Sequence, residues 1–178
     1  MLKYYAGIGS RETPENIKSI MSRVATGLES MGWTLRSGGA HGADEAFEDG
    51  VQLAENKEIY LPWGGYNGRV SSKGVFVGYV STEVQMQAMS IAEECHPNWA
   101  ACSPGARMMH ARNVCQVLGR NLNEPIKFVC CWTVGGRRGG GTGQALRLAT
   151  KLGIPIYDLG LPDHMQVLRD LRDFVDNL

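Results

Sequence analysis

Three glycine-rich segments carry the residue types best suited to chemistry. They are Gly7-Ile8-Gly9-Ser10-Arg11, Ser37-Gly38-Gly39-Ala40-His41-Gly42-Ala43-Asp44 and Gly135-Gly136-Arg137-Arg138-Gly139-Gly140-Gly141-Thr142-Gly143, and they hold 11 of the chain's 23 glycines. Each follows a β-prone run and leads toward a helical one. Glycine lets backbone approach a ligand closely. A helix start offers unpaired N–H groups and a partial positive charge, which suits phosphate. Arg11, Arg137 and Arg138 stand inside these loops and Arg112 lies between the second and third. Guanidinium groups grip phosphate bidentately. His41 is a candidate contact to phosphate or a base, with an ordinary loop histidine as the alternative.

Familiar motifs are missing. Gly7-x-Gly9 lacks the third glycine of the dinucleotide fingerprint, since position 12 is Glu, and no GxxxxGK[ST] occurs. No cofactor is implied. If an N-glycosidic bond is cut, a carboxylate must stabilise an oxocarbenium-like centre or activate water. Asp44, at the start of a helix after the second loop, and Glu83, at the start of a later helix, are the candidate catalytic carboxylates. A helix-start charge and a solvated helix end are their plainer readings. Trp63 and Tyr66 flank Gly64-Gly65 and are candidates to line a base pocket; Trp99 is one to stack on a base or cap the core. Cys95, His96, Cys102 and His110 are metal-ligating types, yet their spacing fits no common zinc pattern, and no metal is expected.

Strand and helix signals alternate around these loops. Residues 3–8, 33–37, 57–61, 126–133 and 154–158 read as strands. Residues 62–82 read as an irregular loop, with β-prone residues 75–80 suggesting a hairpin. Thr13 offers an N-cap before Pro14. Ile17, Ile20, Met21, Val24, Leu28 and Met31 then recur at helical spacing. Further helical faces run from Ala43 to Ala54, over 83–95 and 104–119, after Gly143, and from Val167 to Leu178. The alternation predicts a single domain over 1–178 of the α/β class. It is a Rossmann-like three-layer sandwich with a mostly parallel sheet and helices on both faces. Right-handed crossovers put the loops on one edge, where such sheets bind ligands.

Composition narrows the function classes. The chain has 178 residues, 18 basic and 18 acidic, and 43% apolar residues. A broadly basic nucleic-acid binder, a disordered tail and a membrane span are all excluded on that pattern. Five cysteines without a CxxC pair, and a start without signal-peptide character, predict a reduced cytoplasmic protein. Charge is uneven, however. Residues 104–151 hold eight basic residues and one acidic residue, a net of +7.

Four segments carry a family resemblance: Gly7-Ile8-Gly9-Ser10-Arg11, Ser37 to Asp44, Ala111-Arg112-Asn113-Val114 and Gly140-Gly141-Thr142-Gly143-Gln144-Ala145. In this order they resemble the SLOG superfamily over residues 4–159, and most nearly its branch related to YpsA. That superfamily includes the Lonely Guy phosphoribohydrolases and the Rossmann-like core of DNA-processing protein A. The resemblance implies a nucleotide or nucleotide-derived ligand. The loops and the resemblance together make Gly7, Gly9, Ser10, Arg11, Gly38, Gly39, His41, Gly42, Arg112, Asn113, Arg137, Arg138, Gly140, Gly141, Thr142, Gly143 and Gln144 its candidate contacts, Arg137 and Arg138 on charge and loop position alone. The Lonely Guy motif GGxGTxxE is matched only in its phosphate part, because the Glu position is Ala145. Cleavage or transfer of an N-glycosidic bond therefore stays open beside simple binding and a non-catalytic nucleotide sensor. Single-stranded DNA is the alternative partner, supported by the +7 segment and the Arg112-Asn113 pair. A homo-oligomer is expected from the resemblance and the several apolar helical faces.

Overall fold

Apolar side chains that alternate along each strand must be covered on two faces, and the chain does this with three layers. The structure, a computed structural model, describes residues 3–178. Six strands form one parallel sheet: β1 (Lys3–Gly9), β2 (Trp33–Ser37), β3 (Lys57–Leu61), β4 (Val75–Val77), β5 (Val129–Trp132) and β6 (Ile156–Asp158), in the order β4-β3-β2-β1-β5-β6. One face packs Tyr5, Leu35, Ile59, Phe128 and Cys130 beneath α1 (Glu15–Ser30), α2 (Ala43–Asp49) and α6 (His164–Asp176). The other packs Tyr4, Ala6, Tyr60, Val129 and Cys131 beneath α3 (Thr82–Cys95), α4 (Pro104–Leu118) and α5 (Gly140–Lys151). The expected Rossmann-like sandwich is therefore the architecture. No helix among the described residues is long and apolar enough to cross a membrane.

Strand order reverses at β1. The chain moves outward through β2, β3 and β4, then returns to place β5 on the free side of β1, with Ala6 beside Val129 and Gly9 beside Trp132. Loops leaving β1 and β5 thus diverge to opposite faces, and a crevice opens between them.

Several local expectations differ from the structure. Thr13 does not cap α1: its hydroxyl donates to the Ser10 carbonyl (2.6 Å), closing the turn after β1, and Pro14 takes the cap position. Residues 75–80 do not form a hairpin strand. Val75–Val77 join the sheet edge parallel to β3, and the hairpin shrinks to one antiparallel bridge, Ser72 to Val75. The long apolar run 126–133 contributes only Val129–Trp132 as strand. α5 starts at Gly140, so the end of the third glycine run is its first turn.

α2 stops at Asp49, short of Ala54, because Gly50 presses against α1. A Cβ there would stand 2.2 Å from the Ser22 carbonyl oxygen, whereas Gly27, exposed on α1, has open space. Gly50→Ala is expected to lower the urea midpoint by an amount worth about 1–3 kcal/mol through overpacking. Gly27→Ala is expected to raise stability by up to about 1 kcal/mol through helix propensity. Equal shifts of the two variants would contradict this packing.

Candidate functional site

The crevice beyond β1 and β5 is a cleft of about 640 Å³. Loop residues form much of its wall: Gly9 to Glu12 from the first loop, Ala40 from the second, and Gly139 to Thr142 from the third. α4 supplies Met109, Arg112, Asn113 and Gln116, and Tyr66 closes one side. A volume of this size suits a small organic ligand.

Loops beyond strand ends leave backbone groups without ladder partners; here Gly38 and Gly39 are buried, Gly9 and Ala40 are half-buried, and the third loop is largely exposed. Asp44, in the first turn of α2, is 4% exposed. Its Oδ1 accepts from the Gly9 N–H (3.2 Å), and its Oδ2 accepts from the N–H groups of Gly38 (3.1 Å) and Ala40 (3.4 Å). One carboxylate therefore ties the first loop to the second. Burial pushes its carboxyl up to about 6, against the opposing pull of Arg112 and the three N–H donors.

Arg112 is the counterpart for carbonyl groups. It is buried, and its Nη1 donates to the carbonyls of Gly38 and Tyr60, the latter at 3.0 Å. Its Nε donates to Asn113 Oδ1 (3.1 Å), and Asn113 Nδ2 donates to the Gly141 carbonyl (3.0 Å). The adjacent pair thus links the second loop, the end of β3 and the third loop. Gly38 makes room at this junction, since a Cβ there would press on the ends of the Arg112 and Gln116 side chains.

The third loop is fixed from below by Asp158 at the end of β6. Its carboxylate accepts from the Thr133 N–H (3.0 Å) and hydroxyl (2.5 Å) and from the Gly160 N–H (2.9 Å). Thr133 Oγ1 in turn accepts from the Arg138 N–H (3.2 Å), which holds Arg138 at a left-handed φ of 52°. Above that anchor, a Cβ added at Gly139, Gly140 or Gly141 would meet nothing within 4 Å, so the start of α5 is open. No side chain caps it. Its first N–H groups are therefore available for an anion.

The structure thus separates the residues singled out in the sequence. Gly9, Ser10, Arg11, Asp44, Arg112, Asn113, Arg137, Gly140, Gly141 and Thr142 all border the cleft. Gly7, Gly38, Gly39, His41, Gly42, Arg138, Gly143 and Gln144 do not. Gly7 and Gly143 are packing positions, where a Cβ would meet Phe47 and the Arg138 carbonyl. Gln144 is fully buried beneath α5, and His41 is exposed beside Glu45 (3.6 Å). Glu83 lies in the first turn of α3, outside the cleft. Trp63 lies outside the cleft, edge-on to Tyr66 (5.5 Å), while Tyr66 borders it. Arg11 Nη2 donates to the Tyr66 hydroxyl (3.1 Å).

Met109, Gln116 and Thr133 also border the cleft and were not singled out. The first two were recoverable from helical spacing, because 109, 112, 113 and 116 share one face. The +7 segment is dispersed rather than focused. Arg120 lies over Phe76, Arg147 Nε donates to the Cys95 carbonyl, Lys151 pairs with Glu94, and Arg107 donates to the Trp99 carbonyl.

No family model matches the chain, and no curated protein matches it. Among solved structures it is similar to one of DNA processing protein A from Helicobacter pylori, whose description concerns that protein's single-stranded DNA binding mode. The two are 15% identical, with a TM-score of 0.48, over 95% of this chain and 72% of that one.

Asp44 makes the edge sensitive to pH. An ordinary aspartate ionises near 3.8, and in the fold this one does so at about 6. The fold favours the protonated form. Its contribution is thus full below about pH 4 and is lost as pH rises to about 6, a change of about 3 kcal/mol. Urea unfolding across that window is expected to show the wild-type advantage over Asp44→Asn shrinking as pH rises. A difference independent of pH would refute the shift.

Proposed function

We propose that the chain binds a nucleotide or nucleotide-derived small molecule in this cleft, with phosphate at the start of α5 and the base toward Tyr66 and Met109. The observation that carries the reading is the open backbone of Gly139 to Gly141, which faces a cleft bordered by the exposed Arg11 and Arg137. N–H groups at a helix start and nearby guanidinium groups are complementary to phosphate. The resemblance of the same loops to the SLOG superfamily supports the same ligand class.

Binding is better supported than cleavage. Both oxygens of Asp44 are engaged by backbone N–H groups. Ala145, at the position where the Lonely Guy motif has its Glu, is apolar and buried. A single-stranded DNA partner draws less support, because four cations of the basic segment are occupied away from the cleft.

Calorimetric titration with AMP, NAD and ADP-ribose, followed by mass spectrometry of the mixtures, tests the reading. Saturable binding of at least one of them is expected, with no free base released. Arg137→Ala alters an exposed side chain and is expected to weaken that binding by roughly 10- to 100-fold, the worth of one charge-assisted contact. Failure to bind any of the three would sink the proposal. Release of base would assign cleavage, with Asp44→Asn as the variant to stop it.

A further inference from the structure

Outside the cleft, on the α3–α4 side of the sheet, three metal-ligating side chains meet. His96 follows α3, Cys102 follows a short turn of helix at Trp99–Ala101, and His110 lies within α4. One ligand atom from each lies within 4.8 Å of those from the other two. Cys102 Sγ stands 3.7 Å from His96 Nδ1 and 3.6 Å from its Nε2, and the two imidazole rings are 4.5 Å apart between centroids. A tetrahedral zinc ion with Zn–N near 2.0–2.1 Å and Zn–S near 2.3 Å separates N from S by about 3.6 Å. One such distance matches that of a loaded site, but Sγ is equally near both ring nitrogens, so the His96 imidazole must turn about its side-chain bonds to aim one lone pair at the ion.

A second observation points the same way. His110 is 9% exposed, and its Nδ1 is buried with no hydrogen-bond partner among the described residues. An orphaned buried ring nitrogen is costly, and a coordinate bond would satisfy it. His96 and Cys102 are only partly buried, so an ion has a route in from solvent. His96 Nδ1 accepts from the Asn98 N–H (3.1 Å). Binding through that nitrogen trades one hydrogen bond for a coordinate bond. Cys95 stays out of the set, buried in α3.

We propose that His96, Cys102 and His110 form a binding site for a zinc-type divalent cation. Two imidazoles and a thiolate suit a borderline-soft ion and disfavour magnesium or calcium. Three protein ligands leave a fourth position for water or an outside donor. The ion fastens the 96–102 segment to α4, the helix that carries Arg112 and Asn113.

The test uses the full chain, stripped with a chelator and titrated with cobalt(II), then with zinc(II). A single tetrahedral site is expected. Intense visible bands should appear together with a thiolate-to-cobalt charge-transfer band, and zinc should displace both. Cys102→Ser should abolish the charge-transfer band. Losing even an outer partner of a metal ligand costs roughly tenfold in affinity, so His96→Gln should weaken binding by more than that. Cys95→Ser is the control and should change neither. Absence of the charge-transfer band, or its survival in Cys102→Ser, would overturn the proposal. His96 and Cys102 are partly exposed, so both variants are expected to fold, which circular dichroism checks.

Discussion

Backbone that leaves a parallel strand at its carboxyl end must find new hydrogen-bond partners, and at this edge Gly38 and Gly39 are buried away from water. Asp44 takes the N–H groups of Gly9, Gly38 and Ala40; Arg112 takes the carbonyls of Gly38 and Tyr60. Gly38 is held from both sides by groups of opposite charge. A buried charge is tolerated only where it is paired or hydrogen-bonded; Arg112 and three N–H donors favour the ionised Asp44, yet burial outweighs them. The cleft's shape follows in part from that arrangement, since residues of the three loops border it.

The glycines divide into two kinds by what surrounds them. At Gly7, Gly9, Gly38 and Gly143 a Cβ would strike a neighbour, so these positions let helices, strands and Arg112 come together. At Gly139, Gly140 and Gly141 the space is empty and faces the cleft. Composition alone mixes the two. The distinction matters because the first kind sets the distance between layers, while the second leaves room for something that is not protein.

Much of the fold was readable because period and punctuation agree. β1 and β2 read as β-prone runs, the periodic face of α1 ends at Gly32, and the loops after β1, β2 and β5 are marked by glycine. The edge was less readable where a residue's role depends on the far side of the molecule. Thr13 looks like a cap until Ser10 claims its hydroxyl. Gln144 sits among ligand-like residues in sequence, yet the turn of α5 buries it completely. Arg120, Arg147 and Lys151 read as an ordinary helix face in the sequence, and in space they lie by Phe76, Cys95 and Glu94, away from the cleft. His96, Cys102 and His110 matched no zinc spacing because their meeting depends on the packing of α3 against α4.

The pairing of β1 with β5 also orders events in time. β1 is made before the other five strands of this sheet, but its partner on that side, with Gly9 beside Trp132, emerges only after everything from α1 to α4. Contacts so distant along the chain close late and slowly. On a ribosome the outward half of the sheet has its strands ready, while the free side of β1 waits uncovered. Synthesis must pass Trp132 before the two loops that flank the crevice can face each other. A prematurely terminated product ending within α4 would lack β5, leave the free edge of β1 open to aberrant pairing, and lack one wall of the cleft.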